Sequence, residues 1–436
     1  MLSIGIIIPS VHYWSDPGRI TPIHELYLAT LVESKGDVAI EIIDLRGVRS
    51  DQQIYHIPKR DLYLYWVMKA GDYNNVRDIT KQLRFFYPTS KHVAGGTHID
   101  NSEIESPESF ECFDSVIIGP SEDVIESILQ DCKNKSLNKM YKSDYQNVPY
   151  ENYPFMRRHF LPETAIVNHL LFEKYGSKIR STCVLFSRGC CFRCKYCTYN
   201  VPKFVQMRTS ESIKEEIKYL KDEYKIEAIN LKDEICIPIS DEKATSFLKA
   251  LEDSNIMWRG QTCVTGLTEA KIALAKKSGC VELALGIESA SQQVLDIIGK
   301  KITLEQVKNA IKLCKKYDIK VKMCLIFGLP GEPKDILEIT KSFVNETKPD
   351  WVSLSGFDPI LGSEIYTNYK SYGIKDIDKN WDKHAHLLYR FSDKEEVGVP
   401  FEYEKINQWG ETFSREEIIE NIRQMQHYLR ERNMLY

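Results

Sequence analysis

Short apolar runs alternate with helical patterns along most of the 436-residue chain, and the alternation occurs twice. In the first third, strands are predicted at "LSIGIIIP", "VAIEIIDL", "DLYLYWV", "HVAGGTH" and "DSVIIGP", with helical patterns such as "IHELYLATLVESKG" and "SEDVIESILQDCK" between them. Strands that alternate with helices favour a parallel sheet, because each return to the same edge needs a crossover. We therefore predict an α/β fold that begins with a parallel-sheet domain over residues 1–135.

The second alternation covers residues 181–370. Six strands are predicted there, at "TCVLFS", "EAINLKDE", "MWRGQTCV", "VELALGIES", "KVKMCLIFG" and "WVSLSGFDP". Six strand–helix units are fewer than the eight of a closed (β/α)8 barrel, so we predict a partial (β/α)6 barrel with an open side. Residues 136–180 are rich in Asn, Tyr and Pro and are predicted to be a linker. Residues 371–436 are predicted to be a small helical region that caps the open side and helps to select the substrate.

Charge and hydropathy restrict the possible partners. The net charge is −4 with mixed signs and no basic stripe, which gives nucleic-acid binding no electrostatic support. The apolar run "IGIIIP" near the start is too short to cross a bilayer, and no signal-peptide pattern precedes it. We therefore expect a cytoplasmic protein without nucleic-acid or membrane partners. In a reducing compartment, the twelve cysteines favour metal-binding, catalytic or core roles over a disulfide framework.

A cysteine-rich stretch, "SRGCCFRCKYC", follows the first predicted strand of the barrel. Cys190, Cys194 and Cys197 stand there at C-x3-C-x2-C spacing, and the adjacent Cys191 points elsewhere in an extended loop. Structural zinc takes four Cys or His ligands, usually as two pairs, and the predicted barrel contains no histidine and no C-x2-C pair outside this stretch. Three thiolates on a [4Fe–4S] cluster would leave one iron open to a bidentate small molecule. A zinc-binding interaction module without catalysis stays the alternative.

With Tyr196 before its last cysteine, this motif resembles the signature of radical S-adenosylmethionine (SAM) enzymes. In that family the open iron binds the amino and carboxylate groups of SAM. Electron transfer then cleaves SAM to methionine and a 5′-deoxyadenosyl radical, which abstracts a hydrogen atom from the substrate. The resemblance implies a [4Fe–4S] cluster, SAM, an electron donor such as flavodoxin or ferredoxin, and a small-molecule or peptide substrate.

Other strand ends extend the resemblance across roughly residues 180–370. The family places acidic groups near the SAM ammonium, a glutamate at the SAM ribose, and glycines where the backbone approaches the adenine. The matching residues are Asp233 and Glu234 in "LKDE", Glu288 and Ser289 in "GIES", and Gly328 and Gly331 in "GLPGE". By itself, "GLPGE" fits a tight turn equally well.

One position departs from the family pattern. In the third strand of the barrel, "WRGQTCV", related enzymes often carry Arg where this chain has Cys263. An inward-facing Cys263 could donate a hydrogen atom to a substrate radical and is our candidate catalytic residue. The alternative is a buried, inert cysteine.

The N-terminal domain resembles the branch of the family that has a flavodoxin-like, cobalamin-binding domain. The resemblance rests on "VAGGTHID" and "SVIIGPSED", where Gly95, Gly96 and Gly119 would let the backbone approach the nucleotide tail of the cofactor. The D-x-H-x-x-G sequence that supplies a cobalt-ligating histidine elsewhere is absent. The aromatics of "YLYWVMKAGDY" are either core residues or a wall that partly fills the corrin site, so a scaffold that binds nothing or binds substrate stays possible.

The sequence therefore predicts a radical SAM enzyme. The expected reaction is a cobalamin-dependent methyl transfer to an unactivated carbon, or a radical rearrangement or ring closure. The alternative within enzymes is a cobalamin-free epimerase or oxidoreductase that uses a thiol as hydrogen donor.

Overall fold

The computed structural model describes residues 1–10, 20–197, 202–384 and 399–436. Two six-stranded sheets form the framework, and every strand pair within them is parallel. Across the described ranges, no helix is long and apolar enough to cross a membrane.

The first sheet has the strand order β2-β1-β3-β4-β5-β6. Its strands are β1 Leu2–Ile8, β2 Val38–Asp44, β3 Leu62–Trp66, β4 Lys91–Gly95, β5 Ser115–Ile118 and β6 Met140–Lys142. The helices between them are α1 Ile23–Glu33, α2 Ala70–Phe86, α3 Thr97–Glu105 and α4 Ile125–Lys133. The reversal between β1 and β3 is the flavodoxin-like order, which confirms the predicted fold of this domain. Strand β6 lies in the segment predicted to be a linker, so the sheet continues beyond residue 135.

Helices cover both faces of this sheet, α1 and α4 on one side and α2 and α3 on the other. Two of the aromatics of β3 are therefore core residues. The Tyr63 hydroxyl donates to the Pro58 carbonyl at 2.7 Å, and the Tyr65 hydroxyl lies 2.9 Å from Nδ1 of His92. The third aromatic, Trp66, is half-buried. A Cβ on Gly95 would lie only 2.8 Å from Cζ3 of its ring.

The second sheet has the order β14-β13-β12-β11-β10-β7, with β7 and β14 at its two edges. The strands of this part of the chain are β7 Ser181–Val184, β8 Ser187–Arg188, β9 Gln206–Met207, β10 Ala228–Leu231, β11 Met257–Thr262, β12 Cys280–Glu288, β13 Lys320–Phe327 and β14 Trp351–Gly356. Its helices are α5 Glu163–Ile166, α6 Ser210–Tyr224, α7 Asp241–Ser254, α8 Glu269–Lys277, α9 Gln292–Ile297, α10 Leu304–Lys316, α11 Ile336–Thr347 and α12 Glu364–Thr367. Six parallel strands with an open side confirm the partial barrel.

The C-terminal region is not purely helical. It contains β15 Ile374–Ile377, β16 Phe401–Tyr403, β17 Ile406–Asn407, β18 Gly410–Glu411 and α13 Arg415–Arg430. The long helix α13 packs against β13, β14 and α11, which is the outer-layer position of a sixth barrel helix. This helix therefore completes the helical layer, and the predicted cap over the open side stays a prediction for the rest of the region. The buried side chains Ile418, Ile422 and Met425 explain the position, because they form the apolar stripe that covers the sheet.

The carboxyl edges of the two sheets face each other. After β5, Glu122 forms an ion pair with Arg188, which follows β7. After β4, Asn101 lies against the loop that follows β14, where a Cβ on Gly362 would be 2.6 Å from the Asn101 Cγ. Ligands of parallel α/β sheets collect at these edges, so a cofactor at one edge would lie close to a ligand at the other.

A buried ion triad fixes the linker to the barrel. Arg158 and Glu216 have fully buried side chains, and Nη2 of Arg158 donates to Oε1 of Glu216 at 3.2 Å and to the Cys183 carbonyl at 3.0 Å. Arg208 donates to the other carboxylate oxygen of Glu216. One carboxylate thus balances two buried guanidinium groups that come from the linker and from the strand β9–helix α6 connection.

We expect Glu216→Gln to lower the free energy of unfolding by about 3 kcal/mol, because it leaves two buried guanidinium groups without a counter-charge. Urea denaturation followed by circular dichroism measures the change. The control is Glu215→Gln at an exposed position of the same helix, which should stay within about 0.5 kcal/mol of wild type. Equal effects of the two substitutions would contradict the role of the triad.

Candidate active site

The cysteine loop leaves and re-enters the barrel through the antiparallel pair β8–β9, in which Arg188 is opposite Gln206. Within the loop, the Cys190 amide donates to the Pro202 carbonyl at 3.0 Å. Farther along, the Lys195 amide donates to the Ile298 carbonyl at 2.9 Å, which carries the loop across to the turn after α9. The loop therefore lies over the carboxyl end of the barrel, as its position in the sequence predicted.

The structure brings the three motif cysteines into one neighbourhood. The charge of Cys197 acts on both Cys190 and Cys194, and the charge of Cys190 acts on Cys194. Burial raises the pKa of the Cys194 thiol to about 11, and nearby Lys300 opposes the shift. Cys191 and Cys197 are exposed, whereas Cys190 and Cys194 are partly buried.

The arrangement of these thiols distinguishes a site for a single metal ion from a site for an iron–sulfur cluster. Among the described residues, no three His, Cys, Asp or Glu side chains converge as ligands of a single ion. A [4Fe–4S] cluster makes a different demand, because each thiolate binds its own iron. The three cysteines of one loop fit that demand, and their thiols lose their protons on binding iron.

Asp233 and Glu234 follow β10 and bind residues 186–189, which lead into the cysteine loop and are called its neck below. The Asp233 carboxylate accepts hydrogen bonds from the Ser187 hydroxyl and from the Phe186 amide at 3.3 Å. The Glu234 carboxylate accepts from the Gly189 amide at 3.1 Å. Burial raises the pKa of Asp233 to about 6 and that of Glu234 to about 7. Both carboxylates thus lie beside the loop, and their predicted contact with the SAM ammonium stays a prediction.

Glu288 ends β12 in a conformation that is unusual for a glutamate. Its φ is +75°, and the register between β12 and β13 shifts at this point. The carboxylate accepts a hydrogen bond from Nζ of Lys300 at 2.9 Å and interacts with the Tyr196 phenol of the cysteine loop. Such left-handed backbone at a non-glycine residue costs about 1–3 kcal/mol and is typical of functional sites. The adjacent Ser289 is buried, and its Oγ accepts from the Ser291 amide at 3.2 Å.

The "GLPGE" turn after β13 is held by its own glutamate. The Gly328 amide donates to both carboxylate oxygens of Glu332, at 3.0 and 2.9 Å, and the Gly328 carbonyl accepts from the Tyr403 hydroxyl at 2.9 Å. A Cβ on Gly331 would lie 2.2 Å from Cδ1 of Ile297. The structure thus shows the tight turn that the motif also permitted, and the turn anchors the C-terminal region.

Cys263 directly follows β11 and is buried. Its Sγ lies 3.6 Å from the Thr265 carbonyl, and the thiol senses the charges of Lys300 and Cys191. Since Lys300 also pairs with Glu288, Cys263 belongs to the same end of the barrel as the predicted SAM residues. The role of Cys263 as a hydrogen donor stays a prediction.

The glycines of the N-terminal domain pack against their own chain. A Cβ on Gly96 would lie 2.7 Å from the Val67 carbonyl oxygen, and one on Gly119 would lie 2.2 Å from that of Ser143. Both glycines have positive φ values, +104° and +89°. Their first requirement is therefore the turn geometry itself. A bulky substitution there would disturb the fold before it tested any cofactor contact.

Sequence reasoning missed three charged residues of this region: Glu122, Arg188 and Lys300. Lys300 belongs to the turn after α9, and no motif marks it as the partner of Glu288. Arg188 could have been noticed, because it stands two residues before the first motif cysteine. Glu122 is recognisable only once the two sheets are seen to face each other.

Residues 184–344 match the radical SAM superfamily. This segment of the chain is a radical SAM domain. The match runs from the end of β7 into α11 and includes the cysteine loop, so the resemblance inferred from the motif is confirmed. The presence of this domain brings a [4Fe–4S] cluster and SAM as the cofactors of this family.

Similarity to other proteins extends beyond the radical SAM domain. The chain is 25% identical over 393 residues to an uncharacterized methyltransferase, PH0819, of Pyrococcus horikoshii, covering 84% of this chain and 81% of that protein. The radical SAM methyltransferase TsrM of Kitasatospora setae, solved with cobalamin and a [4Fe–4S] cluster, aligns at a TM-score of 0.67 with 15% identity over 92% of this chain and 87% of its own. OxsB, a cobalamin-dependent SAM radical enzyme solved with aqua-cobalamin, aligns at 0.62 with 15% identity over 100% of this chain and 62% of its own. The fold is thus that of both proteins along nearly the whole chain.

We expect the triple substitution of Cys190, Cys194 and Cys197 by Ala to abolish iron and sulfide loading and reductive cleavage of SAM. The reason is that each of these three thiolates would bind one iron of the cluster. Iron and sulfide analysis after anaerobic reconstitution measures the loss. The control is Cys191→Ala at the exposed position, which should load normally. A triple variant with a full cluster would refute the assignment.

Glu288→Gln should weaken SAM binding about tenfold, because it removes a charge-assisted hydrogen bond worth about 1.5–3 kcal/mol. Equilibrium dialysis with the reconstituted protein gives the affinity, and iron content shows that the cluster is retained. Glu305→Gln, at an exposed position on α10, is the matched control and should bind SAM as wild type does. Unchanged SAM affinity in Glu288→Gln would make this glutamate purely structural.

Proposed function

We propose that the chain is a cobalamin-dependent radical SAM methyltransferase that acts on an unactivated carbon of a small-molecule or peptide substrate. The observation that carries the proposal is the opposition of the two carboxyl edges, one belonging to a flavodoxin-like sheet and the other to the radical SAM barrel. The match to TsrM and OxsB, which were solved with cobalamin, and to a protein named methyltransferase supports it.

The carboxyl edge of the first sheet has features that fit a cofactor rich in amide groups. Two buried ring nitrogens there, Nε1 of Trp66 and Nε2 of His98, have no hydrogen-bond partner among the described residues. Burial lowers the pKa of His98 to about 3, and the charge of His384 adds to the effect, so the imidazole is neutral. Unpartnered buried polar atoms are rare in folded proteins, and a bound ligand is one way to satisfy them.

These two residues would hold the cofactor, with the indole N–H as donor and the neutral imidazole as donor or acceptor. Cobalamin, when bound, supplies a methyl group carried on cobalt. The residues of the barrel have separate tasks: the three motif cysteines hold the cluster, and Glu288 orients the SAM ribose. The substrate would lie between the two edges, where both cofactors are within reach. An electron donor such as flavodoxin or ferredoxin would reduce the cluster.

Cys263 favours a second candidate function, a cobalamin-free epimerase or oxidoreductase. Cys263 follows β11 at the carboxyl end of the barrel, where a substrate radical would form, and its charge acts on Cys190. Hydrogen-atom transfer from its S–H bond to the radical would give a C–H bond and a thiyl radical. An external electron and a proton would then restore the thiol.

The cobalamin proposal predicts that the anaerobically purified protein retains about one hydroxocobalamin per chain after desalting, measured by the absorbance of the corrin. Trp66→Phe keeps the ring but removes the orphaned N–H, so it should weaken retention about three- to tenfold. Trp351→Phe, at the amino end of β14, is the control and should retain the cofactor normally. Failure of wild type to retain cobalamin would overturn the proposal.

The cobalamin-free candidate makes a different prediction. Recovered substrate would carry deuterium from D2O only if an exchangeable thiol returns the hydrogen, so Cys263→Ala should abolish the label but leave SAM cleavage intact. Mass spectrometry of the recovered material gives the answer. Labelled material from the Cys263→Ala variant would exclude this thiol as the donor.

A further inference from the structure

A buried ion pair joins the N-terminal domain to the cysteine loop. Glu122 lies three residues after Gly119 at the carboxyl edge of the first sheet, and Arg188 lies two residues before Cys190. Nη1 of Arg188 donates to Oε1 of Glu122, and the two side chains are only 9% and 2% exposed. The pair therefore bridges the loop predicted to meet a cofactor and the loop that holds the cluster.

Further hydrogen bonds and two aromatic rings hold the Arg188 guanidinium in this position. Its Nε donates to Oε1 of Gln206 at 2.7 Å, and its Nη2 donates to the Val148 carbonyl at 2.7 Å. The rings of Tyr145 and Tyr150 flank it, with centroids 4.9 and 4.7 Å from the guanidinium carbon. Since Gln206 is the residue opposite Arg188 in the β8–β9 pair, both ends of the cysteine loop are fixed through one side chain.

The Glu122 carboxylate is equally constrained. The Tyr27 hydroxyl, on α1, donates to its Oε1 at 3.1 Å. Burial, together with the charge of Glu122, raises the pKa of Tyr27 well above its ordinary value, so this hydroxyl stays a donor. The Tyr27 ring meets that of Tyr150 edge-on at 6.0 Å, which closes the cluster around Arg188.

The neck of the cysteine loop is therefore held from two sides. Ser187 and Gly189 are bound by Asp233 and Glu234 of the barrel, as described above. Arg188, between them, is bound by Glu122 of the N-terminal domain. A shift of the Glu122 loop relative to the barrel must move Arg188 or break a buried ion pair, and breaking such a pair is strongly unfavourable.

We propose that Glu122 and Arg188 form a positioning pair through which the N-terminal domain sets the placement of the cysteine loop, and with it the cluster iron that receives SAM. Neither residue touches SAM or the reacting atoms. The inference rests on the [4Fe–4S] cluster and SAM of the radical SAM domain, and not on cobalamin. It is thus testable whether or not the methyltransferase proposal holds.

The contribution of the Glu122–Arg188 pair to stability must be separated from its effect on the placement of the cysteine loop. Glu122→Gln leaves a buried guanidinium without its counter-charge and should destabilise the fold. The double variant Glu122→Leu with Arg188→Met removes both charges and keeps similar volumes, so it should regain most of the stability. This double variant lacks the ion pair between the domains without leaving a lone buried charge. It also loses the hydrogen bonds of Arg188 to Gln206 and to the Val148 carbonyl, which Glu122→Gln retains.

The experiment compares the full-length wild type with the double variant after anaerobic reconstitution. Iron content and the urea midpoint of unfolding establish a loaded and folded protein. Electron paramagnetic resonance of the reduced cluster, recorded with and without SAM, then reports the geometry at the open iron, and equilibrium dialysis gives SAM affinity. We expect a normal iron content, an altered SAM-dependent spectrum, and SAM binding weakened about fivefold or more, the lower range of coupling between sites.

The matched control is Asp123→Asn, because Asp123 is the exposed neighbour of Glu122 and its carboxylate accepts only from the Ser143 hydroxyl among the bonds described. Its spectrum and SAM affinity should equal those of wild type. A folded, loaded double variant with the wild-type spectrum and wild-type SAM affinity would overturn the proposal and leave the pair a purely structural role. Opposite shifts of the cluster potential in the single variants Glu122→Gln and Arg188→Met, with a normal double variant, would also overturn it by assigning the pair an electrostatic role.

Discussion

Parallel pairing is the constraint from which the rest of this molecule follows. Every strand of both sheets runs in one direction, so all the connections that leave the carboxyl ends gather at one edge of each sheet. The cysteine loop after β7, Cys263 after β11 and Glu288 at the end of β12 meet for this reason, although they are distant in the sequence. Two such edges facing each other create the space in which a substrate can meet both cofactors.

The long strands and the cysteine motif could be predicted because their signals are local. Strand β12 is buried along almost its whole length, and the apolar run "LALGI" within it shows this in the sequence. Strand β6 has only three residues, and its membership in the first sheet depends on pairing with β5, which no local pattern shows. The short strands of the C-terminal region were missed for the same reason, while the Lys300 partner of Glu288 comes from a separate turn.

The glycine motifs show where sequence interpretation reaches its limit. Glycine at a strand end predicts a positive φ or a close approach, and Gly96 and Gly119 have both features. The sequence does not show which atoms approach the glycine. At these two positions it is the backbone of Val67 and of Ser143, and at Gly328 it is the C-terminal region. Orphaned polar atoms such as Nε1 of Trp66 are better indicators of a ligand, but they are visible only in the structure.

Two of the joints between the parts of this chain contain buried charges: Arg158 with Glu216 joins the linker to the barrel, and Arg188 with Glu122 joins the N-terminal domain to it. An apolar joint would tolerate sliding, because hydrophobic contact is non-directional. A buried ion pair does not, since a displaced partner leaves an uncompensated charge in a medium of low dielectric constant. Charged joints therefore select one relative orientation of the two sheets. A reaction that uses a cofactor from each edge needs that single orientation, because a misplacement of about 1 Å at the reacting atoms can cost a hundredfold in rate.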